Sequence, residues 1–144
     1  MRYWLGVVSR EHVRRGVELG IAQIGHGKHA GLARMQPGDW LIYYSARTSL
    51  QSREPLKAFT AIGEVCGEEV WQADEGSFKP WRRRVSYDAA ARETPLSELS
   101  GSLELTSEAH WGYKLRRGLI DLSEHDFHVI SGAMREHDGR AQAR

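Results

Sequence analysis

Runs of aromatic and β-branched residues fill the middle of this 144-residue chain, while helical patterning is strongest near its two ends. Tyr3 to Val8, Trp40 to Ser45, Lys57 to Cys66 and Trp81 to Tyr87 read as strands. Arg10 to Leu19 carries Val13, Val17 and Leu19, follows an N-cap candidate at Ser9 and stops at Gly20, as a short helix does. Glu124 to Arg135 sets Phe127, Ile130 and Met134 on one helical face, and Ser123 with Asp126 has a weak capping-box spacing. Strands clustered in the middle argue against a doubly wound parallel sheet. They predict an α+β domain with a mostly central curved sheet, more barrel than doubly wound.

Smaller signals complete the outline. Ile21 to Ile24 is a brief extended piece, Leu32 and Met35 mark one or two helical turns, and Pro37-Gly38 makes a turn. Arg47 to Pro55 reads as loop, Gly63 as a bulge, Asp74 to Lys79 as a turn and Pro95 to Leu99 as a helical turn. Val70 to Ala73 extends the strand before it or pairs with it, and Trp111 to Leu122 reads as strand plus loop. In Trp81 to Tyr87, alternation puts Trp81, Arg83, Val85 and Tyr87 on one side and Arg82, Arg84 and Ser86 on the other. The expected organisation is one domain over 1–136 and a disordered polar tail over 137–144.

The net charge of +1 gives the whole molecule little pull on nucleic acid, so any such binding must come from local clusters. Three exist: Arg82-Arg83-Arg84, Arg116-Arg117 and the loop around Lys28. The one cysteine excludes an internal disulfide framework and a multi-cysteine zinc site, and Cys66 reads as a small buried hydrophobe. No segment approaches the ~20 apolar residues of a membrane span, and Met1 to Val8 lacks a signal-peptide core. A cytoplasmic protein with no membrane association is expected.

Gly25-His26-Gly27-Lys28-His29-Ala30-Gly31 concentrates hydrogen-bond donors and positive or titratable charge among three glycines. It formally fits G-x-G-x-x-A, but a helix separates it from the first strand, where a dinucleotide site needs it adjacent. The phosphate-loop pattern also fails, with Ala22 at the first glycine position and His29 at the Ser/Thr position. His26 with His29, and His125 with His128, share i, i+3 spacing without a third ligand nearby, so neither metal nor other cofactor is expected. No serine sits in a G-x-S-x-G elbow, although Ser9 and Ser45 follow apolar strands where side chains can rim a pocket. Trp71 and Trp81 lie in polar surroundings. Exposed indoles beside arginines suit stacking on a base with guanidiniums on phosphates, and rim packing of a small barrel accounts for them equally well.

The ordered set Tyr3-Trp4-Leu5-Gly6-Val7-Val8-Ser9, Gly20-Ile21-Ala22, Gly25-His26-Gly27-Lys28-His29, Met35-Gln36-Pro37-Gly38-Asp39, Phe78-Lys79-Pro80-Trp81-Arg82, Trp111-Gly112 and Leu122-Ser123-Glu124-His125-Asp126-Phe127 resembles the EVE domain family. That family is PUA-like and related to YTH and ASCH domains. The resemblance implies a small distorted β-barrel with flanking helices and one pocket. It also implies non-catalytic binding of a modified nucleobase in DNA or RNA, flipped into an aromatic-lined pocket. The family's pocket positions fall here on Ser9, on Gln23 through His29, on Tyr44 and Ser45, and on Trp71, Phe78 and Trp81. YTH-type readers carry a tryptophan after the first helix, where this chain has Ala22-Gln23-Ile24, which shifts recognition toward the glycine loop. On this reading Trp71, Phe78 or Trp81 stacks on the ring. Ser9, Gln23 and His29 meet the base edge, His26 lies among the ligand-binding residues, and Lys28, Arg82 and Arg84 hold phosphates. A monomer bound to nucleic acid is expected. The rivals are a small-molecule protein or enzyme using His26 or His29 in the same pocket, and an interaction module with a filled barrel.

Overall fold

The computed structural model describes residues 1–24, 27–52 and 54–135. In chain order the elements are β1 (Tyr3–Val7), α1 (Arg10–Leu19), β2 (Ile21–Ala22), α2 (His29–Arg34), β3 (Trp40–Arg47), β4 (Pro55–Gln72) and β5 (Trp81–Tyr87). Then come β6 (Thr94–Pro95), α3 (Glu104–Ser107), α4 (Trp111–Lys114), β7 (Leu119–Leu122) and α5 (Glu124–Met134). The hydrogen-bonded strand order is β2-β5-β4-β3-β1-β7, with β6 paired to β4. β1 and β3 run parallel, and the other pairings are antiparallel. The expected α+β architecture with flanking helices is present. Its distorted barrel is not closed, because the strand path ends at β2 and β7 among the described residues.

Both faces of the sheet are covered, which explains why its central strands read as continuous apolar runs rather than alternating ones. Alternation instead sorts the side chains into two cores. Leu5, Ile42, Tyr44, Phe59 and Ile62 pack with Phe127, Ile130 and Met134 of α5. Trp4, Leu41, Tyr43, Ala61 and Val85 pack on the opposite face with Val13 of α1 and Leu32 of α2. Arg83 belongs to this second face and is buried there. Its Nη1 donates to the carbonyls of Met35 at 2.7 Å and Leu32 at 3.3 Å, and its Nη2 to that of Gly67 at 3.0 Å. A cation thus meets the carbonyl end of α2, where the helix dipole favours it. Desolvation by burial holds the pKa of Arg83 below the ordinary arginine value, against the pull of Asp39, Cys66 and Glu68.

The helix ends follow the sequence signals. Gly20 caps α1 in the left-handed conformation, its N–H reaching the carbonyls of Gly16 and Val17. Ser123 Oγ accepts the Asp126 N–H at 3.1 Å to start α5. The return half of the expected capping box is absent: the Asp126 carboxylate instead accepts the N–H groups of Glu104 and Leu105, at 2.8 and 2.9 Å, and caps α3. The turn expected at Pro95 to Leu99 is a 3₁₀ turn over Leu96–Glu98.

Three local expectations need correction. Gly63 is not a bulge: it lies in register opposite Leu41 and Tyr87, and the irregularities fall at Tyr43/Tyr44, Ser45/Arg47 and Val65/Val70. Gly63 is needed for close approach, because a Cβ there would stand 2.6 Å from Val85 Cγ1 and 2.8 Å from the Ser86 carbonyl. The segment Trp111 to Leu122 opens with α4 and a 3₁₀ turn, and only its last four residues form β7. Cys66 is partly exposed rather than buried, since the irregular stretch of β4 between Val65 and Val70 turns it from the core. Among the described residues no helix is long and apolar enough to cross a membrane.

Candidate functional site

Because β1 and β3 are parallel, their carboxyl ends emerge on the same side. Hydrogen bonds gather other segments there: Glu11 N–H to the Thr48 carbonyl at 2.9 Å, and Val7 N–H to the Gly118 carbonyl at 2.8 Å. The start of α1, the end of β3 and the turn before β7 therefore converge. A hairpin extension between β4 and β5 faces them. It is closed by Ala73 N–H to the Pro80 carbonyl and Glu75 N–H to the Phe78 carbonyl, each 2.8 Å. Between these parts lies a cleft of two lobes, each about 620 Å³, whose walls share Val8, His12, Gln23 and Phe78.

The first lobe adds Ser9, Gly27, Lys28, Arg47, Arg116 and Arg117. Ser9 Oγ is buried there without a hydrogen-bond partner among the described residues, although Ser9 precedes α1 with N-cap backbone geometry. A cap hydrogen bond is the ordinary use of such a serine, and it is not made. Phe78 is 43% exposed. Its ring rests against Gly27, where a Cβ would meet Phe78 Cζ at 3.3 Å and Pro80 Cα at 2.9 Å. Gly27 has φ +83° and accepts the Trp81 N–H at 2.9 Å. Gly27 thus lets the chain approach its own hairpin.

The second lobe adds Arg10, Arg15, Tyr43, Glu75 and Arg82. Arg82 Nε donates to Gln23 Oε1 at 3.0 Å, and its Nη2 pairs with Glu75 at 2.9 Å. Glu75 also pairs with Arg15 of α1. Burial pushes the Tyr43 hydroxyl up to about 12, opposed by the neighbouring Tyr87 side chain and the Gln23 backbone. Burial and the neighbouring Tyr43 raise Tyr87 as well, and its hydroxyl donates to the Ile21 carbonyl at 2.9 Å. Two neutral phenols therefore fix the backbone on which Gln23 stands.

The structure brings Ser9, Gln23, Lys28 and Phe78 to the first lobe and Arg82 to the second. His26 lies outside the described residues. His29 is exposed and stands edge-on to Trp81, ring centroids 4.8 Å apart, away from the walls of both lobes. Tyr44 packs on Phe59 in the α5-side core, and burial raises its hydroxyl pKa. Ser45 is buried with its hydroxyl 2.8 Å from Thr60 Oγ1. Trp71 lies beneath the Arg84 guanidinium at 5.4 Å, and both are absent from the cleft walls. Trp81 is half-buried against the α1-side core. Sequence reasoning passed over His12, Tyr43, Arg47 and Glu75, and gave the Arg116-Arg117 pair no place. Tyr43 was one residue away: strand parity turns it to the α1 face and Tyr44 to the other.

Among the described residues no group of three His, Cys, Asp or Glu side chains is close enough to hold a metal ion. His125 Nε2 is 2.9 Å from the Ser102 carbonyl, and His128 stands 3.7 Å from Glu124.

The EVE domain family matches residues 2–133. This chain belongs to the EVE domain family. A UPF0310 protein of Renibacterium salmoninarum is 54% identical to this EVE domain over 132 residues, covering 92% of this chain and 94% of its own. Another, from Mesorhizobium japonicum, is 46% identical over 136 residues and covers 92% and 91%. Among solved structures, the NMR structure of a Rhodopseudomonas palustris protein superposes with a TM-score of 0.60 at 15% identity, covering 93% of each chain. The YTH domain-containing protein Mmi1, solved in complex with RNA, gives 0.55 at 12% identity, covering 96% of this chain and 88% of its own. At these identities the structural likeness shows the fold of the EVE domain alone.

Proposed function

We propose that this EVE domain is a non-catalytic reader that takes a modified nucleobase, flipped out of a DNA or RNA strand, into the lobe walled by Ser9, Gln23 and Phe78. The observation that carries this reading is Ser9, which lines the first lobe while its hydroxyl, covered over, has no hydrogen-bond partner among the described residues. A buried polar group left unpaired costs about 1–3 kcal/mol, and a ligand that pairs it recovers that cost. A base supplies hydrogen-bonding groups on its edge and a flat ring for Phe78. Extrusion from a duplex costs only a few kcal/mol, less from a single strand. The RNA complex of Mmi1 supports the reading through the shared fold. In this arrangement Phe78 stacks, Ser9 and Gln23 read the edge, and Lys28 meets a phosphate. Gly27 and Lys28 border the pocket, and Arg82 acts through Gln23. The lone cysteine suits a reducing cytoplasm.

The test is titration of labelled strands that differ by one methylated base. Tighter binding of one modified strand, lost on Phe78→Ala, is expected. Equal affinity for every strand overturns the reading.

A further inference from the structure

The cations of the cleft divide sharply by what they face. In the second lobe Arg10 pairs with Glu93, and Arg15 and Arg82 share Glu75. In the first lobe Lys28, Arg47, Arg116 and Arg117 are exposed, and among the described residues none of them pairs with a carboxylate. The described wall of that lobe contains no Asp or Glu at all. Such segregation is notable in a chain whose net charge is +1. The four cations come from separate segments: the start of α2, the end of β3 and the turn before β7. Hydrogen bonds between Val7 and Gly118, and between Val8 and Tyr44, hold two of those segments against the end of β1.

We infer that Lys28, Arg47, Arg116 and Arg117 form a phosphate cradle at the mouth of the first lobe, making the ligand a nucleotide within a strand rather than a free nucleoside. This rests on the reading of that lobe as a base pocket. Guanidiniums donate paired hydrogen bonds to phosphate oxygens, and an anion relieves the repulsion among four like charges. A flipped nucleotide carries a phosphate on each side of its sugar, so a base seated against Ser9 brings backbone to the rim. A nucleoside offers that rim nothing anionic, and a mononucleotide offers one phosphate where a strand offers several. The phosphate role thus passes to side chains outside the Arg82 and Arg84 pair, since Arg82 already holds Gln23 and Glu75, and Arg84 is absent from the walls of both lobes.

Fluorescence anisotropy with labelled oligothymidylate, repeated across salt concentrations, tests the cradle without any modified base. The triple variant Arg47→Gln, Arg116→Gln, Arg117→Gln is expected to flatten the plot of log affinity against log salt by about 0.7 for each phosphate it no longer neutralises. Arg116→Gln alone should remove a single step of that size. Arg34→Gln, on an exposed cation away from the cleft, controls for net charge. These exposed arginines make no ion pair among the described residues, and Arg116 lies over the exposed Tyr113 ring at 5.2 Å, so their neutralisation should leave the fold intact, which circular dichroism verifies. An unchanged slope in the triple variant overturns the cradle, as does an equal loss in Arg34→Gln. Unlabelled thymidine or thymidine monophosphate competing as well as the strand overturns the strand assignment. The same titrations with a strand carrying one methylated base separate the two ideas. A flattened slope without modified-base preference supports the cradle and removes the reader. Preference with an unchanged slope does the reverse.

Discussion

Arg82 donates from Nε to Oε1 of Gln23 at 3.0 Å, and this fixes which end of the Gln23 amide enters the cleft. An arginine Nε–H only donates, so the amide oxygen must face it and the NH₂ end turns the other way. Gln23 therefore presents a donor to any ligand, and the edge it reads must carry an acceptor. Glu75, paired with both Arg82 and Arg15, holds the guanidinium in place.

Gln23→Glu tests that polarity. The new carboxylate keeps and strengthens the bond to Arg82, so the melting temperature should hold or rise. The donor is lost, and an acceptor of the ligand then faces a carboxylate. Binding of the preferred strand should weaken about tenfold or more, equivalent to ~1.4 kcal/mol. Arg82→Gln should instead leave affinity partly intact and relax selectivity, because the amide is then free to flip. Calorimetric titration and thermal unfolding of both variants check this, and unchanged binding in Gln23→Glu contradicts it.

Ser9→Ala separates a structural serine from a ligand-facing one. Replacing a serine that caps a helix costs about 1 kcal/mol. Here the hydroxyl makes no cap bond and is buried without a partner among the described residues. Its removal should therefore cost nothing in denaturant unfolding, or stabilise slightly, while ligand affinity falls. A stability loss near 1 kcal/mol with unchanged affinity would return Ser9 to the capping role.

Asp39 anchors the β1–β3 end opposite the cleft. It is buried and accepts the Trp4 indole N–H at 2.9 Å, the Arg2 N–H at 3.0 Å and the Gln36 N–H at 2.9 Å. Burial alone raises its pKa, yet the bonds from Trp4, Arg2 and Gln36 outweigh burial and leave it below the ordinary value. A depressed folded pKa means that the stabilisation is complete above the unfolded value of about 3.9 and is lost as pH falls through the folded one. Asp39→Asn turns an NH₂ toward a donor and should cost about 1–3 kcal/mol at neutral pH. The difference from wild type should narrow below about pH 4. Urea unfolding at pH 7 and pH 3 measures both, and a gap independent of pH refutes the linkage.

The sequence carried the strand and helix pattern well because apolar runs and caps act locally: Gly20 and Ser123 do what their neighbours predict. It carried the site less well because cleft membership depends on parity and on long-range hydrogen bonds. Tyr43 and Tyr44 are indistinguishable as letters, and a bulge between them makes even their alternation uncertain without coordinates. The Arg116-Arg117 pair is conspicuous as charge, but only the bond from Val7 to Gly118 brings its turn beside Ser9. Asp39 and Asp126 stand in recognisable motifs and turn out to hold backbone N–H groups from distant segments, which no spacing rule reveals.

Gly27 offers a test in which one methyl group links loop, hairpin and pocket. Its φ of +83° already penalises an L side chain by about 1–2 kcal/mol. A Cβ there also meets Pro80 Cβ at 2.7 Å and Phe78 Cζ at 3.3 Å, and Pro80 is a buried residue whose ring cannot swing aside. Gly38, at φ +92°, has nothing within 4 Å of the same added atom. The pair separates conformational strain from displacement of the hairpin. Gly38→Ala should lose only the strain, a few degrees of melting temperature at about 3 °C per kcal/mol, with ligand affinity unchanged. Gly27→Ala should lose more stability and also weaken binding, because Phe78 must move from the wall it shares between the lobes. Equal losses in the two variants, with binding intact in both, would show that the packing of Phe78 on Gly27 does not position the stacking ring.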